Sequence, residues 1–179
     1  MPEYKTARPH DPVTHEDMEV FMGSDAEPWV KALVVCLWIF GIRIGEARSR
    51  LRKDFSVQQG YLWLNAPPLK RTDEPRRVLP IRIDTPFLEY LLSYIRDLEP
   101  NKKIWGYSSV WCWVQLKRLD PTLCAHRFRH NRATMIALTR AHPYELQSWL
   151  GHSDIRMASL YIHSSGVFAE DLGKRLVIT

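Results

Sequence analysis

The sequence predicts a mainly α fold carrying one small three-stranded antiparallel sheet (α+β). Three observations support this. The run from Trp29 to Phe40 is apolar on nearly every face, as a buried helix requires. Residues 53–81 change to short alternating runs separated by turn residues. From about residue 85 onward, helical spacing returns in successive segments.

Taken in order, residues 1–13 contain Pro2, Pro9 and Pro12 and read as an extended arm or linker. Thr14 is placed to cap a short acidic helix, with Asp17 three residues on in a box-like position. Asp25 and Pro28 mark the start of the apolar helix, and Gly41 can close it in a left-handed turn. A short helix is expected from about Ile44 to Arg52. Phe55 and Val57 alternate with polar neighbours, and Gln58-Gln59-Gly60 reads as a turn. Tyr61 to Leu64 and Val78 to Ile81 supply two further strands, joined through Pro67, Pro68 and a charged loop from Lys70 to Arg77. Helices are then expected at about 85–98, 108–118, 126–140, 143–150, 154–162 and 167–175. The sequence shows neither an internal repeat nor a low-complexity segment.

With 179 residues, 45% hydrophobic and 25% charged, the chain has the profile of a globular domain able to bury its own core. Its charge is uneven. Residues 1–30 hold two basic and seven acidic side chains, leaving 23 basic and 13 acidic in the remainder. A body that basic favours polyanions, nucleic acid first, although a solvated basic surface would read the same way. Cys36, Cys112 and Cys124 have no pair spacing, so neither a disulfide framework nor a zinc site is indicated, and no metal or cofactor is expected. The apolar stretch from Trp29 to Ile44 is too short, and too charged at Lys31 and Arg43, to span a bilayer. No signal-peptide pattern opens the chain, so an intracellular setting, cytoplasm or nucleoid, is expected.

Three segments carry possible chemistry. In Gly41-Ile42-Arg43-Ile44-Gly45-Glu46, an arginine stands at a break between two apolar helices. Burying a guanidinium is costly without an anion. Either Glu46 pairs with Arg43 structurally, or Arg43 reaches into a cleft and binds phosphate. In His126-Arg127-Phe128-Arg129-His130, His126 and Arg129 share a helix face, with His130 one turn beyond His126. Such a pair can hold an anion and move a proton, or it is a solvated basic face. In Leu150-Gly151-His152-Ser153, Gly151 can close one helix and Ser153 cap the next, which presents His152 at a junction favourable to anions. Tyr161 follows nine residues later. Taken alone, it reads as a core aromatic.

Together these segments resemble the tyrosine recombinases, or phage integrases, of the Cre, Xer and lambda integrase types. Gly-Ile-Arg43-Ile-Gly-Glu46 is similar to the segment of the family's first catalytic arginine. His126-x-x-Arg129-His130 is similar to its H-x-x-R-H box, and Leu150-Gly151-His152 with Tyr161 to its L-G-H box and nucleophile. Order and spacing agree, and the resemblance covers nearly the whole chain.

The resemblance implies a catalytic domain over residues 14–179, behind the 1–13 arm, without the N-terminal core-binding domain that full-length members carry. It implies that Tyr161 attacks a scissile phosphate to form a 3′-phosphotyrosine. Arg43, Arg129 and His152 would hold that phosphate, and His126 would take the tyrosine proton. Lys70, in the hairpin loop, would protonate the leaving 5′-hydroxyl; the neighbouring Arg71 is the other register for that position. Neither ATP nor a metal is implied. The implied partners are double-stranded DNA and further copies of the chain assembled on it through the C-terminal tail. His130 is expected to pack or bond locally, and Tyr4, Tyr61, Tyr90, Tyr94, Tyr107 and Tyr144 to serve packing. The competing readings are a type IB topoisomerase, disfavoured because that family tends to have Lys where His126 stands, and a non-catalytic DNA-binding relative.

Overall fold

A computed structural model describes residues 12–66, 77–151 and 154–164, the last three by backbone alone. Lys70, Arg71, His152, Tyr4 and the helix expected at 167–175 lie outside the described residues.

Eight α-helices and three strands are described: α1 (His15–Gly23), α2 (Pro28–Phe40), α3 (Ile44–Ser49), β1 (Phe55–Gln58), β2 (Tyr61–Ala66), β3 (Arg77–Arg82), α4 (Leu88–Arg96), α5 (Ser109–Leu119), α6 (Ala125–Leu138), α7 (Pro143–Leu150) and α8 (Ile155–Ser164). The fold is therefore mainly α with one small antiparallel sheet, ordered β1-β2-β3.

Local chemistry starts and stops these elements. Thr14 caps α1 reciprocally: its hydroxyl accepts the Asp17 N–H at 3.1 Å, and Asp17 accepts the Thr14 N–H at 2.9 Å. Pro28 opens α2 at a position where its missing N–H costs nothing. Gly41 closes α2 at φ +63°, and a Cβ there would lie 2.7 Å from that of Arg132, so both backbone and space call for glycine. α3 ends at Ser49, short of the expected Arg52. Arg50 turns inward there to bond the Glu46 and Asn65 carbonyls, and a 3-10 turn at Arg52–Asp54 leads into the sheet.

Gln59 and Gly60 form the β1–β2 turn with φ of 50° and 78°. Two positive-φ residues give the twist that a two-residue hairpin requires. The register pairs Phe55 with Leu64, Leu64 with Leu79 and Leu62 with Ile81, so the buried residues share one face.

Buried α2 is the central post, packed against α3, α4, α5 and α6. Around it lies the principal core, whose largest fully buried side chains include Trp105, Phe40, Phe128 and Met18. Cys36 belongs to it, as expected. A second, smaller cluster joins α6, α7 and α8 through Ala133, Ala137, Leu146, Leu150 and Ala158.

Asn131 ties α6 to the start of the fold, donating to the Val13 carbonyl at 3.1 Å; Trp38 donates to the same oxygen at 3.2 Å. The tyrosines expected to pack divide. Tyr107, 40% exposed, stacks on Trp29 with centroids 4.0 Å apart, whereas Tyr144 is 65% exposed and stacks on His142. No described helix is long and apolar enough to cross a membrane.

Candidate active site

The site is built around the C-terminal end of α7. A helix ends on carbonyls without intrahelical partners, where its dipole places partial negative charge. Here three successive carbonyls each receive a different arginine. Arg77 donates to the Trp149 carbonyl at 2.7 Å. Arg129 donates to the Leu150 carbonyl, also at 2.7 Å. Arg43 reaches the Gly151 carbonyl with both terminal nitrogens at 3.3 Å. The three arginines come from the cap before α3, the first residue of β3, and α6.

Gly151 permits this convergence. It ends α7 at φ +64°, and a Cβ would fall 2.8 Å from Cζ and Nε of Arg77. A side chain there would push the guanidinium out of its place.

One buried carboxylate organises the cations. Glu46 is only 3% exposed. Its Oε2 accepts the Arg43 backbone N–H at 2.7 Å, the return half of a capping box. Its Oε1 pairs with Nη2 of Arg77 and lies 3.6 Å from Nη1 of Arg43. The two readings of Arg43 are thus compatible. Its backbone and one nitrogen face Glu46, while its side chain keeps 45% exposure toward solvent.

Arg129 is buried and also donates to the Gly41 carbonyl at 3.0 Å, which fixes it between the ends of α2 and α7. Burial, and then the nearby charge of Arg43, push it down to about 10, with Glu46 working in the opposite direction. It remains charged at neutral pH, so three guanidiniums face one carboxylate. A cluster with that excess of preorganised donors favours an anion.

α8 brings Tyr161 to this group. The side chain is half-buried, and burial raises its phenol above the ordinary range while the Arg129 charge lowers it. Its hydroxyl lies 2.5 Å from Nδ1 of His130, with ring centroids 5.5 Å apart. His130, expected to pack or bond locally, meets the tyrosine of another helix. The reason is that α8 packs across α6 at the turn after Arg129. His126 lies one turn earlier on α6 and is exposed, and among the described residues no hydrogen bond joins it to Tyr161.

Of the expected site residues, the structure brings Arg43, Arg129 and Tyr161 together. His126 stands on the same helix as Arg129, while Lys70 and His152 lie outside the described residues. Arg77 was missed. Its signal was the strand alternation itself: Arg77, Leu79 and Ile81 share the inward face of β3, so the pattern already placed a guanidinium inside.

No family model matches the chain. A curated relative, tyrosine recombinase XerD of Staphylococcus epidermidis (strain RP62A), is 26% identical over 154 residues, covering 75% of this chain. The chain spans about half the length of that relative, 50%. Among solved structures, the catalytic domain of bacteriophage HP1 integrase matches with a TM-score of 0.63 and 17% identity, over 92% of this chain and 94% of that one. The chain is similar in sequence to a tyrosine recombinase and shares the fold of that family's catalytic domains. XerH recombinase bound to a palindromic difH substrate, in a post-cleavage complex, shares the fold at a TM-score of 0.71 and 19% identity, covering 94% of this chain and 54% of that one. XerA recombinase follows at 0.69 and 16%, covering 99% and 68%. The tyrosine recombinase catalytic fold is thus matched by several structures along nearly all of the chain.

Proposed function

We propose that this chain cuts and rejoins double-stranded DNA through a covalent bond between Tyr161 and a 3′ phosphate, as a site-specific recombinase or integrase. The observation that carries the proposal is the meeting of Tyr161 with Arg129 beside Arg43 and Arg77. Strand transfer by transesterification needs a nucleophile next to donors for the phosphorane oxygens. Arg43 and Arg129 would take the non-bridging oxygens, exchanging α7 carbonyls for phosphate; His152 would donate to the same phosphate, and the resemblance gives the tyrosine proton to His126. Lys70 would give the leaving 5′-hydroxyl its proton. Rejoining is the same step in reverse, so the bond energy stays in the protein–DNA link.

DNA suits the charge of the chain, whose residues beyond 30 are strongly basic. The XerH relative was solved on a DNA substrate. Assembly of further copies on DNA through the C-terminal tail, and action inside the cell where the DNA is, belong to the same proposal.

The test is relaxation of supercoiled plasmid at low salt, with the parent beside Tyr161→Phe. The parent relaxes plasmid and leaves a covalent adduct after denaturant quenching, and the Phe variant does neither. Equal adduct formation by both proteins would remove Tyr161 as nucleophile. An absence of adduct from the parent would favour a non-catalytic DNA-binding role.

A further inference from the structure

The scheme above needs an acceptor for the Tyr161 proton, and His126, to which the resemblance gives that task, is exposed and makes no hydrogen bond to Tyr161 among the described residues. A phenol ordinarily holds its proton up to a pH of about 10. Burial raises this one further, against the opposing charge of Arg129. Arg129, Arg43 and Arg77 can stabilise a phenolate, but a guanidinium has no lone pair with which to take the proton. His130 is in hydrogen-bond contact with the hydroxyl, through Nδ1 at 2.5 Å. An imidazole protonated on Nε2 offers that Nδ1 lone pair as an acceptor.

We propose that His130, resting on the reading of Tyr161 as nucleophile, is a catalytic residue that holds the Tyr161 hydroxyl and takes its proton as the phenol attacks. In the step, the Tyr161 O–H bond breaks and an N–H bond forms at His130 Nδ1. The phenol oxygen bonds to phosphorus, and the bond from phosphorus to the 5′ oxygen breaks. That oxygen takes its proton from the acid assigned to Lys70. Rejoining returns the His130 proton to Tyr161, so the enzyme ends as it began.

The placement is a product of the helix pair. His130 follows Arg129 on α6 and lies one turn beyond His126. The two histidines therefore share a face, and the position of α8 decides which one meets Tyr161. The rings are tilted by 49°, which brings Nδ1 toward the phenol oxygen rather than stacking the faces. The resemblance gives proton acceptance to His126; the geometry points to His130.

The experiment uses the full chain labelled with 13Cζ-tyrosine, with Tyr161→Phe assigning the resonance. His130→Phe removes both ring nitrogens. His130→Asn places an amide where Nδ1 stands, restoring a hydrogen-bond acceptor that is a negligible base. The expected result has two parts. The Tyr161 resonance shifts in His130→Phe and returns near the parent value in His130→Asn. The rate of adduct formation on supercoiled plasmid falls about 100-fold or more in both, since general-base transfer contributes on that order. A resonance indifferent to His130→Phe overturns the proposal. So does an Asn variant that recovers the full rate, because positioning alone would then suffice. A parent that forms no adduct refutes the strand-cleavage reading itself, and the role of His130 falls with it. A parent that forms adduct at a rate indifferent to His130 refutes the role of His130 alone.

Discussion

The two halves of the molecule are held together by different physics. Around α2, large side chains such as Trp105, Phe40, Phe128 and Met18 fill a continuous apolar core. The fully buried set joining α6, α7 and α8 is three alanines and two leucines, with Ile136, Trp149 and Tyr161 only partly buried against it. Small residues let helices approach closely but remove little surface from water. What fixes α7 is polar. Three arginines grip its final carbonyls, and Trp149 donates to the Phe40 carbonyl at 3.0 Å across the boundary. The candidate site lies on that boundary. Guanidiniums that hold a helix end through a few exchangeable bonds are also able to turn to a phosphate, which a packed core could not do.

The strongest way to break this contrast is to damage the apolar half. Trp105 is fully buried, and its indole donates to the Trp29 carbonyl at 3.2 Å. Trp105→Ala is expected to cost about 3–5 kcal/mol, from lost burial, a cavity and the lost indole hydrogen bond. Urea denaturation followed by far-UV circular dichroism measures it. A loss under about 1 kcal/mol would mean that the large core is not what sustains the fold.

Damage to the polar seam comes next. Glu46→Gln keeps an acceptor for the Arg43 N–H but removes the charge facing Arg77 and Arg43. Leaving the largely buried Arg77 guanidinium without its anion is expected to cost about 3 kcal/mol. The loss should be local at first, with α7 amides exchanging hydrogen faster than those of α2. Uniform acceleration across both helices would show that the halves open as one unit and would dissolve the contrast.

The same contrast explains what the sequence made legible. Apolar periodicity and turn chemistry marked α2, the hairpin and the capped ends at Thr14, Gly41 and Gly151, because each is decided by neighbours in the chain. The resemblance pointed to Arg43, Arg129 and Tyr161, which the fold brings together. The partner of His130 was not legible, since α6 presents two histidines on one face and only the packing of α8 selects between them. Arg77 was half legible: its inward direction follows from strand alternation, but its bonds to Glu46 and Trp149 depend on elements distant in sequence.

The smallest effect tests whether the far edge of the apolar half matters to the site. Thr14 closes the reciprocal box of α1, and Val13 before it receives both Trp38 and Asn131. Thr14→Ala removes one side-chain acceptor from an exposed helix start, at a cost of about 1 kcal/mol in urea denaturation. Adduct formation at Tyr161 should be unchanged below the unfolding transition, because the large core separates α1 from the α7 carbonyls. Slower adduct formation in a fully folded Thr14→Ala chain would instead trace a route from Val13 through Asn131 along α6 to Arg129. In that case the N-terminal edge would be part of how the arginine is held.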